Sequence, residues 1–258
     1  MLSTMRRSLT EGASAAVRRY QWERIQQLLP AEFDAAWQAA GGVPGWFEQR
    51  QAAAFTLALQ ALPPDPTVVE IGSYLGRSAV FQARILSALG RGGRVTAIDP
   101  HTGDRQHLER LGLDELPTWD LFRYFVRSLD PDRRIDMVRA TSMEAARDWG
   151  GGRIDLLYID GWHAYEAVME DGQHWLPRLA DAGIVVFDDY GSYADDVARA
   201  VDDLAAEGLF VPWGVNARQM IGGRGDGPPA PLDELLSIVE SGTMHRLATV
   251  RDRLTKDA

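Results

Sequence analysis

Five short runs rich in β-branched residues, at 67–71, 94–98, 134–138, 154–159 and 183–187, are spaced along the chain by segments long enough for helices. That alternation argues for a parallel sheet with helices on both faces, because parallel strands need long crossovers and both sheet faces must then be covered. Two later apolar runs, "GLFVPWG" and "ARQMIGG", are only a few residues apart, which suits an antiparallel pair rather than another crossover. The expected fold is α/β: a doubly wound sheet of seven strands, mostly parallel, ending in a C-terminal antiparallel hairpin strand.

Residues 1–62 are Ala-, Gln- and Leu-rich at helical spacing, broken by "GGVPG" at 41–45, and are expected to form an N-terminal helical extension or lid. The core is expected over 63–222, and 223–258 as a loop and closing helix packed on it, since "GGRGDGPPAP" is a loop by composition and "LDELLSIVES" reads as a helix. The connection from 101 to 118 exceeds the usual length of roughly 4–6 residues and is expected to cover a site. A chain of 258 residues fits one large domain with appended elements.

The absence of cysteine excludes disulfides and thiolate-bound metals, so any metal must be held by oxygen or imidazole. A formal charge of −10 argues against nucleic acid as a partner. No apolar run approaches the roughly 20 residues that span a bilayer, and the Arg-rich opening stretch lacks the apolar middle of a secretion signal. It reads as an amphipathic surface helix. A soluble cytoplasmic protein without membrane contact is expected, and the apolar N-terminal helices point to a homodimer or higher homo-oligomer.

The stretch "VVEIGSYLGRSAV", 68–80, reads as a buried strand, a glycine turn and a helix start. In such sheets the ligand lies beyond the carboxyl ends of the strands. Gly72 lets the backbone approach a ligand, and Ser73 and Ser78 offer hydroxyls and N–H groups at a positive helix start. The G-x-x-x-G spacing of Gly72 and Gly76 is neither the dinucleotide fingerprint nor a phosphate loop. Asp99 ends the next strand, where an acid accepts bonds from ribose hydroxyls. An adenosine-bearing ligand without pyrophosphate fits, and S-adenosylmethionine is one; the bland reading is a tight turn at Gly72 and a cap at Asp99.

Asp160 ends the strand "IDLLYID", and Asp188 and Asp189 end "GIVVFDD". If these strands are neighbours, three carboxylates meet at one rim, and a hard cation such as Mg²⁺ would relieve their repulsion. The alternative is that Asp188 or Asp189 caps the following helix and Asp160 starts a turn. His163 follows Asp160 by three residues and is a candidate base near neutral pH, with a turn hydrogen bond or metal ligation as the alternatives. Trp46, Trp119 and Trp162 fall in or beside segments expected near the site, where aromatic faces suit sugar rings, though each taken singly reads first as an ordinary core or interface residue. His101, His107, His174 and His245 have no convincing acidic partner at metal-ligand spacing and read as solvated or structural. No GxSxG elbow is present, so hydrolase chemistry lacks a nucleophile.

"EIGSYLGRSAV" resembles motif I of class I S-adenosylmethionine-dependent methyltransferases, especially the catechol-type O-methyltransferases, and "IDLLYIDGWHAYEAVMEDGQHWLPRLADAGIVVFDDY" resembles the small metal-dependent sugar O-methyltransferases of the macrocin type. The resemblance spans roughly 66–221 and implies a Rossmann-like fold. It implies that Glu70, Gly72 and Ser78 border the methionine moiety, that Tyr74 packs on it, and that Asp99 holds the ribose. "ATSMEAA" falls where the family contacts adenine, making Ser142, and less so Thr141, a candidate. Asp160 is counted among both the cofactor-side and the catalytic groups. Catechol-type enzymes carry an acid at the first metal position, an acid–amide pair at the second, and a Lys base where His163 stands; the Asp188–Asp189 pair here matches the sugar-modifying relatives.

The resulting expectation is a Mg²⁺-dependent O-methyltransferase that converts S-adenosylmethionine to S-adenosylhomocysteine and methylates a hydroxyl of a sugar, glycan or glycosylated small molecule. His163 or a carboxylate takes the proton. The alternatives are a catechol or phenol acceptor and a non-catalytic adenosine-binding scaffold.

Overall fold

The computed structural model of the protein describes residues 15–103, 118–190 and 196–240. The Arg-rich opening at 1–14, His107 with most of the 101–118 connection, and His245 lie outside the described residues. Three helices come first: α1 over 15–26, α2 (Phe33–Gly41) and α3 (Gln49–Ala61). The alternating unit then runs β1 (Thr67–Ile71), α4 (Arg77–Ala88), β2 (Arg94–Ile98), α5 (Thr118–Leu129), β3 (Ile135–Val138), α6 (Ser142–Asp148), β4 (Ile154–Ile159), α7 (Tyr165–Trp175), β5 (Leu179–Phe187) and α8 (Asp196–Ala206). The hairpin β6 (Val211–Asn216) and β7 (Gln219–Gly223) follows, and α9 covers 230–240.

The seven strands form one sheet in the order β3-β2-β1-β4-β5-β7-β6. The first five are parallel, and β7 is antiparallel to both β5 and β6. This is the expected doubly wound sheet with its terminal hairpin. Its switch point lies where β1, flanked by β2 and β4, ends, so the carboxyl ends of β1, β2, β4 and β5 share one rim. Pro212 sits in β6, the edge strand, beside a register irregularity, the kind of place where a sheet tolerates proline.

The pleat divides the core in two. Val68, Leu156, Tyr158, Ile184, Val186 and Ile221 face a cluster shared with α1–α5 and α9. Their neighbours Val69, Leu157, Ile159, Val185, Phe187 and Met220 face the cluster shared with α6–α8. Strand β5 begins at Leu179, four residues earlier than the sequence suggests, because Ala180–Ala182 carry little apolar surface although Leu179 pairs with Ile154 across an irregular register. No helix of the described residues is long and apolar enough to cross a membrane.

Helix α3 is buried nearly all round, since "AAAF" presents small side chains that let it lie close between the sheet and α4. Its start is fixed by a capping box in which the Glu48 N–H donates to Gln51 Oε1 at 2.6 Å. That bond orients the Gln51 amide with its NH₂ towards the rim of the sheet.

Candidate active site

Strand β1 hands over to Gly72, whose φ of 88° lies in the region that favours glycine. A Cβ there would stand 1.9 Å from the carbonyl oxygen of Asp160. The neighbour that forces glycine is therefore the end of β4, whereas the motif alone points to a ligand. Gly76, at φ 89°, is pressed against Phe122 of α5, 2.8 Å from where its Cβ would be.

Asp99 is held at the rim by two backbone donors. Tyr74 N–H reaches Oδ2 at 2.8 Å and His101 N–H reaches Oδ1 at 2.7 Å, so one carboxylate ties the turn after β1 to the turn after β2. The Tyr74 ring lies 5.3 Å from the ring of Trp46, which precedes α3. His101 is buried, with its ring against Trp119 and Phe122.

Glu70 points to the same face as Val68 and is fully buried. Ser78 Oγ donates to it at 2.8 Å and Gln82 Nε2 at 2.5 Å. Burial outweighs these bonds and pushes its carboxyl up to about 8. Ser73 is buried, with its Oγ 3.5 Å from the Ile98 carbonyl. Ser142 accepts from Trp175 Nε1 at 2.9 Å and is bonded to Asp171, while Thr141 caps α6 in a capping box with Glu144.

The acid cluster occupies the neighbouring rim. Parallel pairing of β4 and β5 brings Asp160 and Asp188 side by side, and pleat parity turns both towards α3. Asp189 departs from that parity because its φ of 56° is left-handed. Its Oδ2 meets His163 Nε2 at 2.8 Å. Helix α7 starts only at Tyr165, so His163 lies in the preceding turn, and it is Asp189 rather than helical spacing that orients it.

Ligand atoms of Asp160, His163 and Asp189 lie within 4.8 Å of one another. Burial, with Asp188 and Asp189 beside it, pushes the Asp160 carboxyl well above the usual carboxylate range. Asp189 Oδ1 is buried without a hydrogen bond, though Arg218 Nε forms an ion pair with it at 3.0 Å. Clustered oxygens that resist joint ionisation and an imidazole nearby fit a hard divalent cation held through oxygen. A small, partly enclosed cavity lies beside them, with Asp160, Trp162, His163 and Asp188 in its otherwise largely apolar lining.

Asp188 is adjacent to these groups, yet its carboxylate turns inward. Gln51 Nε2 donates to both oxygens at 2.8 and 2.7 Å, Arg218 Nε lies 3.2 Å from Oδ1, and the Tyr158 hydroxyl closes on Oδ2. The same hydroxyl lies 2.9 Å from Asp160 Oδ2. Sequence reasoning does not reach these three partners. Tyr158 carries one usable signal, since two residues before Asp160 on a strand means the same face. Gln51 has none, being 137 residues from Asp188, and Arg218 sits in the hairpin turn with no local mark.

Residues 69–190 match the family described as "Methyltransferase domain". The uncharacterized protein y4gI of Sinorhizobium fredii is 29% identical over 122 residues, 47% of this chain and 13% of that protein, so the chain spans a small part of that relative's length. Among solved structures, the O-methyltransferase NovP is 18% identical with a TM-score of 0.57, over 68% of this chain and 80% of that one. The O-methyltransferase from Bacillus cereus in complex with SAH is 16% identical with a TM-score of 0.51, over 75% of this chain and 90% of that one. At such identities the likeness is one of fold. The sheet is of the kind found in those enzymes, and residues 69–190, the part that matches the methyltransferase family, carry its first five strands.

Proposed function

We propose that this chain, with its methyltransferase domain at 69–190, is an S-adenosylmethionine-dependent O-methyltransferase that uses a divalent cation, Mg²⁺ in preference, and methylates a hydroxyl of a sugar, glycan or glycosylated small molecule. The observation that carries this reading is the convergence of Asp160, His163 and Asp189 beside the turn that follows β1. The enzymes it resembles in fold are named for O-methyl transfer, which agrees with that convergence.

When bound, the sulfonium cofactor supplies the methyl group and the cation stabilises the negative charge that develops on the acceptor oxygen. The chain's own residues hold these groups and move the proton. Asp99, fixed by two backbone N–H groups, accepts from the ribose hydroxyls. Tyr74, backed by Trp46, packs against the methionine moiety, behind which Glu70 and Ser78 form a buried pair. Asp160 and Asp189 are the carboxylates that hold the cation. His163 takes the proton of the acceptor hydroxyl, its ring oriented by the contact of Nε2 with Asp189.

A sugar acceptor is favoured by the indoles near the acids: Trp162 is 73% exposed and Trp46 57% exposed, and aromatic faces pack well on the apolar faces of pyranose rings. Self-association as a homodimer or higher homo-oligomer and a cytoplasmic setting belong to the same reading. The test is transfer of labelled methyl from S-adenosylmethionine to a panel of methyl glycosides and catechols, with and without EDTA. Transfer to glycosides that EDTA abolishes is expected. Preference for catechol removes the sugar assignment, and full turnover in EDTA removes the cation.

A further inference from the structure

We propose that Gln51, Tyr158 and Arg218 are positioning residues that hold the acid cluster in cation-binding shape by fixing Asp188 as an internal anchor, so that segments on both sides of the methyltransferase domain complete the active site. This rests on the cation reading above.

The Asp188 side chain is 1% exposed. Its Oδ1 receives Gln51 Nε2, Arg218 Nε and the Asp189 N–H, the last at 2.8 Å, and its Oδ2 receives Gln51 Nε2 and the Tyr158 hydroxyl. An ionised carboxylate offers about four lone-pair sites. They are saturated by protein donors, so Asp188 faces the protein while Asp160 and Asp189 face His163.

Each cation-facing carboxylate is tied back to this anchor. Tyr158 has one hydroxyl proton and lies between Asp188 and Asp160, drawing the ends of β4 and β5 together. Asp189 owes its direction to a left-handed backbone, a conformation that is strained for a non-glycine residue. Its N–H on Asp188 and the guanidinium of Arg218 on its Oδ1 hold it there. The bracket is itself braced: Gln51 Oε1 is fixed by the capping box of α3, and Arg218 also reaches the Trp46 carbonyl at 3.1 Å and Glu48 at 3.7 Å. Gln51 and Arg218 both lie outside 69–190.

The test uses the full chain and Mn²⁺ as the probe, with binding followed by electron paramagnetic resonance and S-adenosylhomocysteine binding by calorimetry. Tyr158→Phe and Gln51→Leu are expected to weaken Mn²⁺ binding about 10–100-fold, the usual effect of removing a group that orients a metal-binding side chain. S-adenosylhomocysteine affinity should stay within twofold of wild type. Arg218→Lys should retain more of the Mn²⁺ affinity than Arg218→Gln. Tyr158→Phe keeps the ring that packs on Phe55 at 4.8 Å, so it decides the matter if Gln51→Leu does not fold. Mn²⁺ affinity unchanged in Tyr158→Phe overturns the inference alone. Wild-type protein that binds no Mn²⁺ overturns the cation reading and this inference with it.

Discussion

Gly72 and Asp160 meet through their backbones: the Asp160 N–H donates to the carbonyl of Ile71 at 2.9 Å, and a Cβ on Gly72 would fall 1.9 Å from the Asp160 carbonyl oxygen. The turn that follows β1 and the acid cluster that follows β4 are thus one rigid piece. Displacing either disturbs both.

Gly72→Ala tests that link. A Cβ at φ 88°, driven into backbone, should cost at least about 2 kcal/mol and shift Asp160. Thermal unfolding should fall by several degrees, and S-adenosylhomocysteine and Mn²⁺ binding should weaken together. Loss of one without the other contradicts the coupling.

His163→Gln should lower kcat by about 10²–10⁴-fold while leaving Mn²⁺ and S-adenosylhomocysteine affinities near wild type. The contact with Asp189 is the reason for expecting a proton-transfer role. A large drop in Mn²⁺ affinity instead makes His163 a ligand.

Asp188→Ala removes the common partner of Gln51, Tyr158 and Arg218. Breaking a buried, bonded charge costs about 3–5 kcal/mol, so melting should drop by roughly 6 °C or more, as well as activity being lost. Asp189→Asn should lose Mn²⁺ affinity with a smaller thermal effect, because Asp189 Oδ1 accepts no hydrogen bond whereas both oxygens of Asp188 are bonded to protein donors. Equal melting temperatures for the two variants would contradict the anchor role of Asp188.

Glu70 links stability to pH. Its carboxyl is raised from 4.5 to about 8, so the folded state holds this proton more tightly than the unfolded chain. The stabilisation is complete below pH about 4.5 and is lost as pH rises through about 8. Wild type should therefore lose melting temperature between pH 5 and 9, and Glu70→Gln, which cannot ionise, should lose less. Identical pH profiles would show that Glu70 does not titrate in this range.

The sheet was legible because its strands are short apolar runs bounded by turns, and 94–98 or 154–159 admit little else. Strand β5 exceeds its apolar run because Ala180–Ala182 carry little apolar surface, and pairing with β4 extends it regardless. Among the site residues, Asp99, Asp160, Asp188 and Asp189 could be placed at strand ends by counting along the chain.

What a single chain of letters determined here is local: strand runs, turn glycines, and which carboxylates stand at a rim. Which way those carboxylates face was decided by tertiary structure. Asp188 and Asp189 are adjacent in sequence, but the first is turned towards donors at positions 51, 158 and 218 by pleat parity, and the second towards His163 by a left-handed backbone bend. Gln51 and Arg218 reach Asp188 from other elements, and no periodicity records a contact between residues 137 apart. Local pattern follows from covalent geometry, whereas a buried charge takes its direction from whatever donors the fold assembles around it.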